Sequence, residues 1–148
     1  MSAGQITDGA QARKFILGGN ARVTLVSQRT GTRFTFRVKA KDIPKAGAPE
    51  APWFVSLLRG PENTTDYTFL GTIFEDQTTY RHGRKSTVSD GAPSAKGWAW
   101  AWSFLAKGEL PPGCEVWHEG RCGRCGRALT VPESIEAGLG PECATAGF

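Results

Sequence analysis

Arg33-Phe34-Thr35-Phe36-Arg37-Val38-Lys39 alternates polar and apolar side chains without a break. A period of two is the signature of a β-strand with one face buried and one solvated. It sends Phe34, Phe36 and Val38 to one side and Arg33, Arg37 and Lys39 to the other. This stretch decides the fold class, and the neighbouring segments extend it. Upstream, Arg22-Val23-Thr24-Leu25-Val26 is rich in β-branched residues, and residues 28–31 (Gln-Arg-Thr-Gly) read as a hairpin loop. Downstream, the Pro/Gly/Ala-rich residues 42–52 form a loop. Trp53-Phe54-Val55-Ser56-Leu57-Leu58, stopped by Gly60-Pro61, reads as a buried strand. Tyr67 to Phe74 and Thr79 to Lys85 supply further short runs, and Phe15-Ile16-Leu17 reads as a β-like run before the Gly18-Gly19-Asn20 turn. Five or six strands at this spacing predict a small antiparallel meander, a barrel or a sandwich.

The pattern then changes. In SAKGWAWAWSFLAKG (residues 94–108), Trp98, Trp102 and Leu105 fall at i, i+4 and i+7, one face of a helix. Ala95, Ala99, Ala101 and Ala106 favour that state. Pro93 suits its start, and Gly108 with Pro111-Pro112 its end. The spacing predicts a helix over about 94–107 that lids the β-core, with Trp98 and Trp102 buried and Trp100 nearer the edge. The expected organisation is a flexible terminus over 1–12, a β-domain over 13–110 and a small module over 111–148. The fold class expected is α+β.

The chemistry concentrates in that last segment. Cys122 and Cys125 are spaced C-x2-C with Gly123 and Gly126 around them, and 17 residues separate Cys125 from Cys143. This spacing suits a tetrahedral zinc site in which a tight knuckle faces a third cysteine. His118 or Cys114 completes it, and the shorter loop to the knuckle favours His118. A closed set of four protein ligands indicates a structural zinc, since a catalytic one keeps a position for water.

The formal charge of +4 is uneven. Residues 114–148 carry five acids and three bases, net −2, which leaves +6 on residues 1–113. Arg33, Arg37 and Lys39 form one basic row, and Tyr80, Arg81, Arg84 and Lys85 a second basic cluster with an aromatic. Together they suit a phosphate backbone. An acidic patch on a protein is the other fitting partner. No phosphate-binding loop, nucleophile elbow or dinucleotide fingerprint is present, so no enzyme activity, catalytic residue or small-molecule substrate is expected. The polar N-terminal residues and the lack of any long apolar stretch predict a cytoplasmic protein with no membrane partner.

The segment HEGRCGRCGRALTVPESIEAGLGPEC (118–143) resembles the C-terminal motif of an uncharacterised protein family of phages and prophages, H-x3-C-x2-C…G-x-G-P-x-C. TGTRFTFRV (30–38), PWFVSLLRGPENTTDYTFLGTIF (52–74) and YRHGRKS (80–86) are similar to the same family. The resemblance implies a phage origin, action in the host cell and zinc held by Cys122, Cys125, Cys143 and His118. Two roles are compatible with it: a nucleic-acid-binding accessory protein, or an inhibitor of a host protein such as a defence nuclease.

Overall fold

The computed structural model describes residues 4–43, 49–60 and 66–118. The alternation of residues 33–39 is realised as β3 (Arg33–Asp42), which forms a hairpin with β2 (Asn20–Ser27). Gly31, at φ 72°, supplies the left-handed turn residue between them. The chain then meanders through β4 (Glu50–Leu58), β5 (Tyr67–Ile73) and β6 (Tyr80–His82). A short β1 (Gly4–Ile6) precedes β2, and β7 (Cys114–His118) closes the described chain. All seven strands lie in one antiparallel sheet of order β1-β7-β2-β3-β4-β5-β6. The fold is α+β, as the periodicities predict. Among the described residues the sheet is open, neither closed into a barrel nor doubled into a sandwich, because helices rather than a second sheet cover its apolar face.

Two helices do the covering, where the sequence suggested one. α2 (Pro93–Leu105) coincides with the Trp-rich stretch. Ser94, Ala95, Trp98, Ala101, Trp102 and Leu105 form its buried stripe, while Trp100 is 46% exposed. α1 (Gly9–Ile16) is the addition. It occupies residues read as a flexible terminus and a β-like run. Asp8 caps it, its side-chain Oδ2 accepting from the Gln11 N–H at 2.9 Å. Ala12, Phe15 and Ile16 at i, i+3 and i+4 then pack into the core. Gly9 lets the first turn of α1 lie on the turn after α2, for a Cβ there would meet the Gly108 carbonyl oxygen. Arg13 fastens the same junction: its Nε donates to the Ala106 carbonyl at 3.1 Å and its Nη2 to the Gln77 carbonyl at 3.2 Å.

The core centres on Trp98. Its indole stacks on Trp102 (centroids 5.9 Å apart, planes 9° apart), tilts over Phe36 at 4.9 Å and takes the edge of Tyr80 at 6.2 Å. The Trp102 Nε1 donates to the Thr78 carbonyl, and the Trp53 Nε1 to the Leu17 carbonyl. Removing a buried Trp costs roughly 3–5 kcal/mol, a large part of the roughly 5–15 kcal/mol that holds a domain. Trp98→Ala is therefore expected to lower stability by about that amount, whereas Trp100→Ala, on the exposed side of the same helix, leaves it within about 0.5 kcal/mol. Chemical denaturation of the two variants checks the contrast.

Candidate functional site

With both helices on one side, the residues that alternate away from the core form a second face of the sheet. Cross-strand register defines it. Asn20, Lys39, Phe54, Thr72 and Arg81 form one row across β2, β3, β4, β5 and β6. Arg22, Arg37, Ser56 and Phe69 form the next row across β2 to β5, and Thr24 pairs with Thr35 on β3 and Trp117 on β7. The face thus gathers Arg22, Arg33, Arg37, Lys39 and Arg81 among Phe54, Phe69, Tyr67 and Trp117. Glu115 on β7 stands on the same face opposite Val26, and at the far end of β3 Asp42 pairs with Glu50 beyond a bulge in β4.

Three local contacts shape it. The Arg37 guanidinium lies over the Tyr67 ring, 4.8 Å from its centroid. The Phe54 ring, 40% exposed, meets Phe69 edge-on at 6.5 Å. The Trp117 Nε1 donates to the Glu115 carboxylate at 2.8 Å, which engages the acid on that strand. The arginine pair is costly. Like charges directly opposite on neighbouring strands repel, and Arg22 stands directly opposite Arg37. Both Nε atoms are buried without a hydrogen-bond partner among the described residues, and an unmet donor of this kind costs roughly 1–3 kcal/mol. An anion between the two side chains would offset both penalties.

Of the residues the sequence proposed for binding, Arg33, Arg37, Lys39 and Arg81 share this face. Arg84 and Lys85 are exposed on the loop after β6, which is pinned to β5 by Gly83 N–H to the Leu70 carbonyl (2.9 Å) and Ser86 Oγ to the Phe69 carbonyl (2.7 Å). Tyr80 is a correction. It pairs with Ile73, so alternation turns it to the helix side, where it packs on Trp98. Its hydroxyl is buried and unpartnered among the described residues. Sequence reasoning missed Arg22, Phe54, Phe69, Tyr67 and Trp117. For Arg22 the signal was present: the alternation of residues 22–26 puts it on the polar side, and hairpin pairing then sets it beside Arg37.

The proposed metal ligands divide. Cys122, Cys125 and Cys143 lie outside the described residues, as does the expected knuckle. Cys114 and His118 are the two ends of β7, an inner strand between β1 and β2, so the segment from 114 to 118 belongs to the sheet rather than to a separate module. Both alternate to the helix side with Val116. His118 is 1% exposed, its ring 5.8 Å from that of Phe15. Cys114 instead lines a cavity of about 470 Å³ with Leu25, Phe34 and Trp100, and burial pushes its thiol pKa up. Four strand positions separate the two by about 13 Å, whereas zinc draws its donors to within about 2.0–2.3 Å of itself. One metal ion cannot take both.

Comparison with known proteins adds one finding. Residues 117–146 match a family described as "Family of unknown function (DUF6011)". The match is confined to the C-terminal motif, although the resemblance also took in segments upstream between residues 30 and 86. No curated protein and no solved structure matches the chain. Among the described residues, no helix is long and apolar enough to cross a membrane.

Burial holds the Tyr80 phenol in its neutral form, with its pKa well above the ordinary 10.0. In the unfolded chain the phenol ionises near 10.0 while the folded one stays protonated, so this contribution to stability is lost as pH rises above 10.0. Tyr80→Phe is expected to flatten that part of the decline, as measured by denaturation of both proteins between neutral and strongly alkaline pH.

Proposed function

We propose that this is a non-enzymatic, zinc-binding accessory protein of phage origin, acting in the host cytoplasm, that holds nucleic acid on the sheet face opposite its two helices. The observation that carries the reading is the clustering there of Arg22, Arg33, Arg37, Lys39 and Arg81 around an exposed phenylalanine. Arginines and lysines neutralise phosphates, and aromatic rings between them contact bases. A histidine base finds little scope here: the His82 Nε2 is engaged by the Val88 carbonyl at 2.7 Å, and His118 is buried in the core.

The zinc would be held by His118, Cys122, Cys125 and Cys143 and would supply structure, not catalysis. The family match begins at residue 117, takes in His118 and all three cysteines of the motif, and leaves out Cys114. Since Cys114 and His118 cannot share one ion, this favours the histidine. A ligand rooted in an inner strand would fasten the C-terminal segment to the sheet, and metal binding would be coupled to the folding of that segment.

Protein purified without chelator is expected to carry about one zinc per chain. Cys122→Ser, Cys143→Ser and His118→Ala lose it, while Cys114→Ala keeps it; elemental analysis of soluble protein reads the outcome independently of any loss of stability. For the nucleic-acid reading, the exposed set Arg33, Lys39 and Arg81 is changed together to Glu. Arg37 is spared because it packs on Tyr67. The triple variant is expected to fold and to lose binding to DNA and RNA in fluorescence anisotropy. The parent's affinity should fall linearly on logarithmic axes as salt rises, each phosphate contact releasing condensed counterions. No binding of any nucleic acid at low salt would remove this reading and leave an acidic surface on a host protein as the partner to test.

A further inference from the structure

The sheet face opposite the helices is broad, and the exposed ring of Phe54 stands in the middle of it. Phe54 lies on β4, opposite Lys39 on β3 and Thr72 on β5, with Arg81 one strand further in the same row. The adjacent row holds the Arg22–Arg37 pair, and the next holds Trp117. From β7 to β6 the face spans five inter-strand steps, about 24 Å. Among the described residues no helix or long ribbon projects from it that would enter a groove. A duplex presents phosphates outward and keeps its bases stacked inside, so a ring on a flat sheet has nothing to stack on. A single strand can turn its bases down onto such a ring while its phosphates run beside it.

We infer that this face takes single-stranded nucleic acid, laid across the strands, with the Arg22–Arg37 pair gripping a phosphate and Phe54 stacking a base. The inference rests on the nucleic-acid reading above and narrows it to one substrate class and to two residues, Arg22 and Phe54. Arg22 and Arg37 are Cα partners on neighbouring strands with their Nε atoms unpartnered among the described residues. A phosphate lying over the two strands would offset the repulsion between them, while the Tyr67 ring fixes where the Arg37 guanidinium lies. A track of this width accommodates roughly four nucleotides or a little more, the lower end of the range for single-strand platforms.

The experiment is anisotropy on the full chain with labelled oligothymidylate, oligouridylate and a mixed-sequence duplex of equal length, across a salt series. The single strands are expected to bind at least about tenfold more tightly than the duplex. Phe54→Ala should weaken single-strand binding by roughly five- to a hundred-fold, the range a stacked base contributes, and leave duplex binding and the salt slope unchanged. Phe54→Trp should retain binding, which separates loss of the ring from any loss of folding. Arg22→Gln should reduce the single-strand salt slope by about 0.7, one phosphate contact. Duplex binding as tight as single-strand binding, or Phe54→Ala without effect on single strands, overturns the inference while leaving the broader reading standing. Binding to none of the three overturns both.

Discussion

The Trp98 indole is the piece on which the rest of the structure depends. It touches Phe36 on the central strand β3, Tyr80 on the edge strand β6 and Trp102 one turn along its own helix. One ring therefore ties α2 to strands that are three ladder steps apart. Aromatic pairs of this kind add about 0.5–1.5 kcal/mol each beyond the area they bury. The consequence reaches beyond the core. Because α1 and α2 together cover the apolar face, no described helix packs on the opposite face. Its residues answer to charge and contact rather than to burial.

The placement of β7 is the second constraint. A strand that comes after α2 in sequence enters the sheet between β1 and β2 and pairs with both. The chain therefore reaches His118 inside the sheet, not on a linker hung from its edge. His118 is held on the helix side by Phe15 of α1, and α1 is in turn keyed to the end of α2 through Arg13 and Gly9. The N-terminal helix, the Trp-rich helix and the last described strand therefore form one connected piece of packing.

Much of this was legible in the sequence, for identifiable reasons. The unbroken alternation of residues 33–39 predicted the sheet and the faces of Arg33 and Phe36 because a period of two leaves little freedom of interpretation. The i, i+4, i+7 spacing of Trp98, Trp102 and Leu105 predicted both the helix and which tryptophan stays exposed. The segments that misled are short. Phe15-Ile16-Leu17 reads as strand until Asp8 is recognised as a cap, after which Ala12, Phe15 and Ile16 fall on one helical face. Cys114 to His118 was absorbed into the zinc motif, although Val116 between two intervening residues already alternates as a strand does. Tyr80 was grouped with the basic residues around it, but its facing partner, Ile73, sets its direction, and partners across a ladder are not visible in local sequence. The same limit hid Phe54. Its run looks uniformly apolar, and only the register with Lys39 and Thr72 puts its ring on the charged face.

The plainest account of that face is the ordinary solvated side of a half-buried sheet. Such a side mixes charges of both signs, lets long side chains extend into water and turns its large rings to the core. Here Lys39, Arg81, Arg22 and Arg37 gather along two adjacent rows, while the one acid of β7 on this face, Glu115, is engaged by the Trp117 indole. Arg22 and Arg37 stand opposite each other on neighbouring strands, and the Nε of each is buried and bonds nothing among the described residues. Phe54 remains exposed in the centre, although a polar residue in its place would have been solvated at no cost. Each feature alone is common enough. The like-charge pair and its unpartnered nitrogens lower the stability of the free protein. The proposed ligand, a flexible chain of phosphates carrying aromatic bases, would offset both and meet the exposed ring. On the proposed reading, that convergence separates a binding face from a merely soluble one.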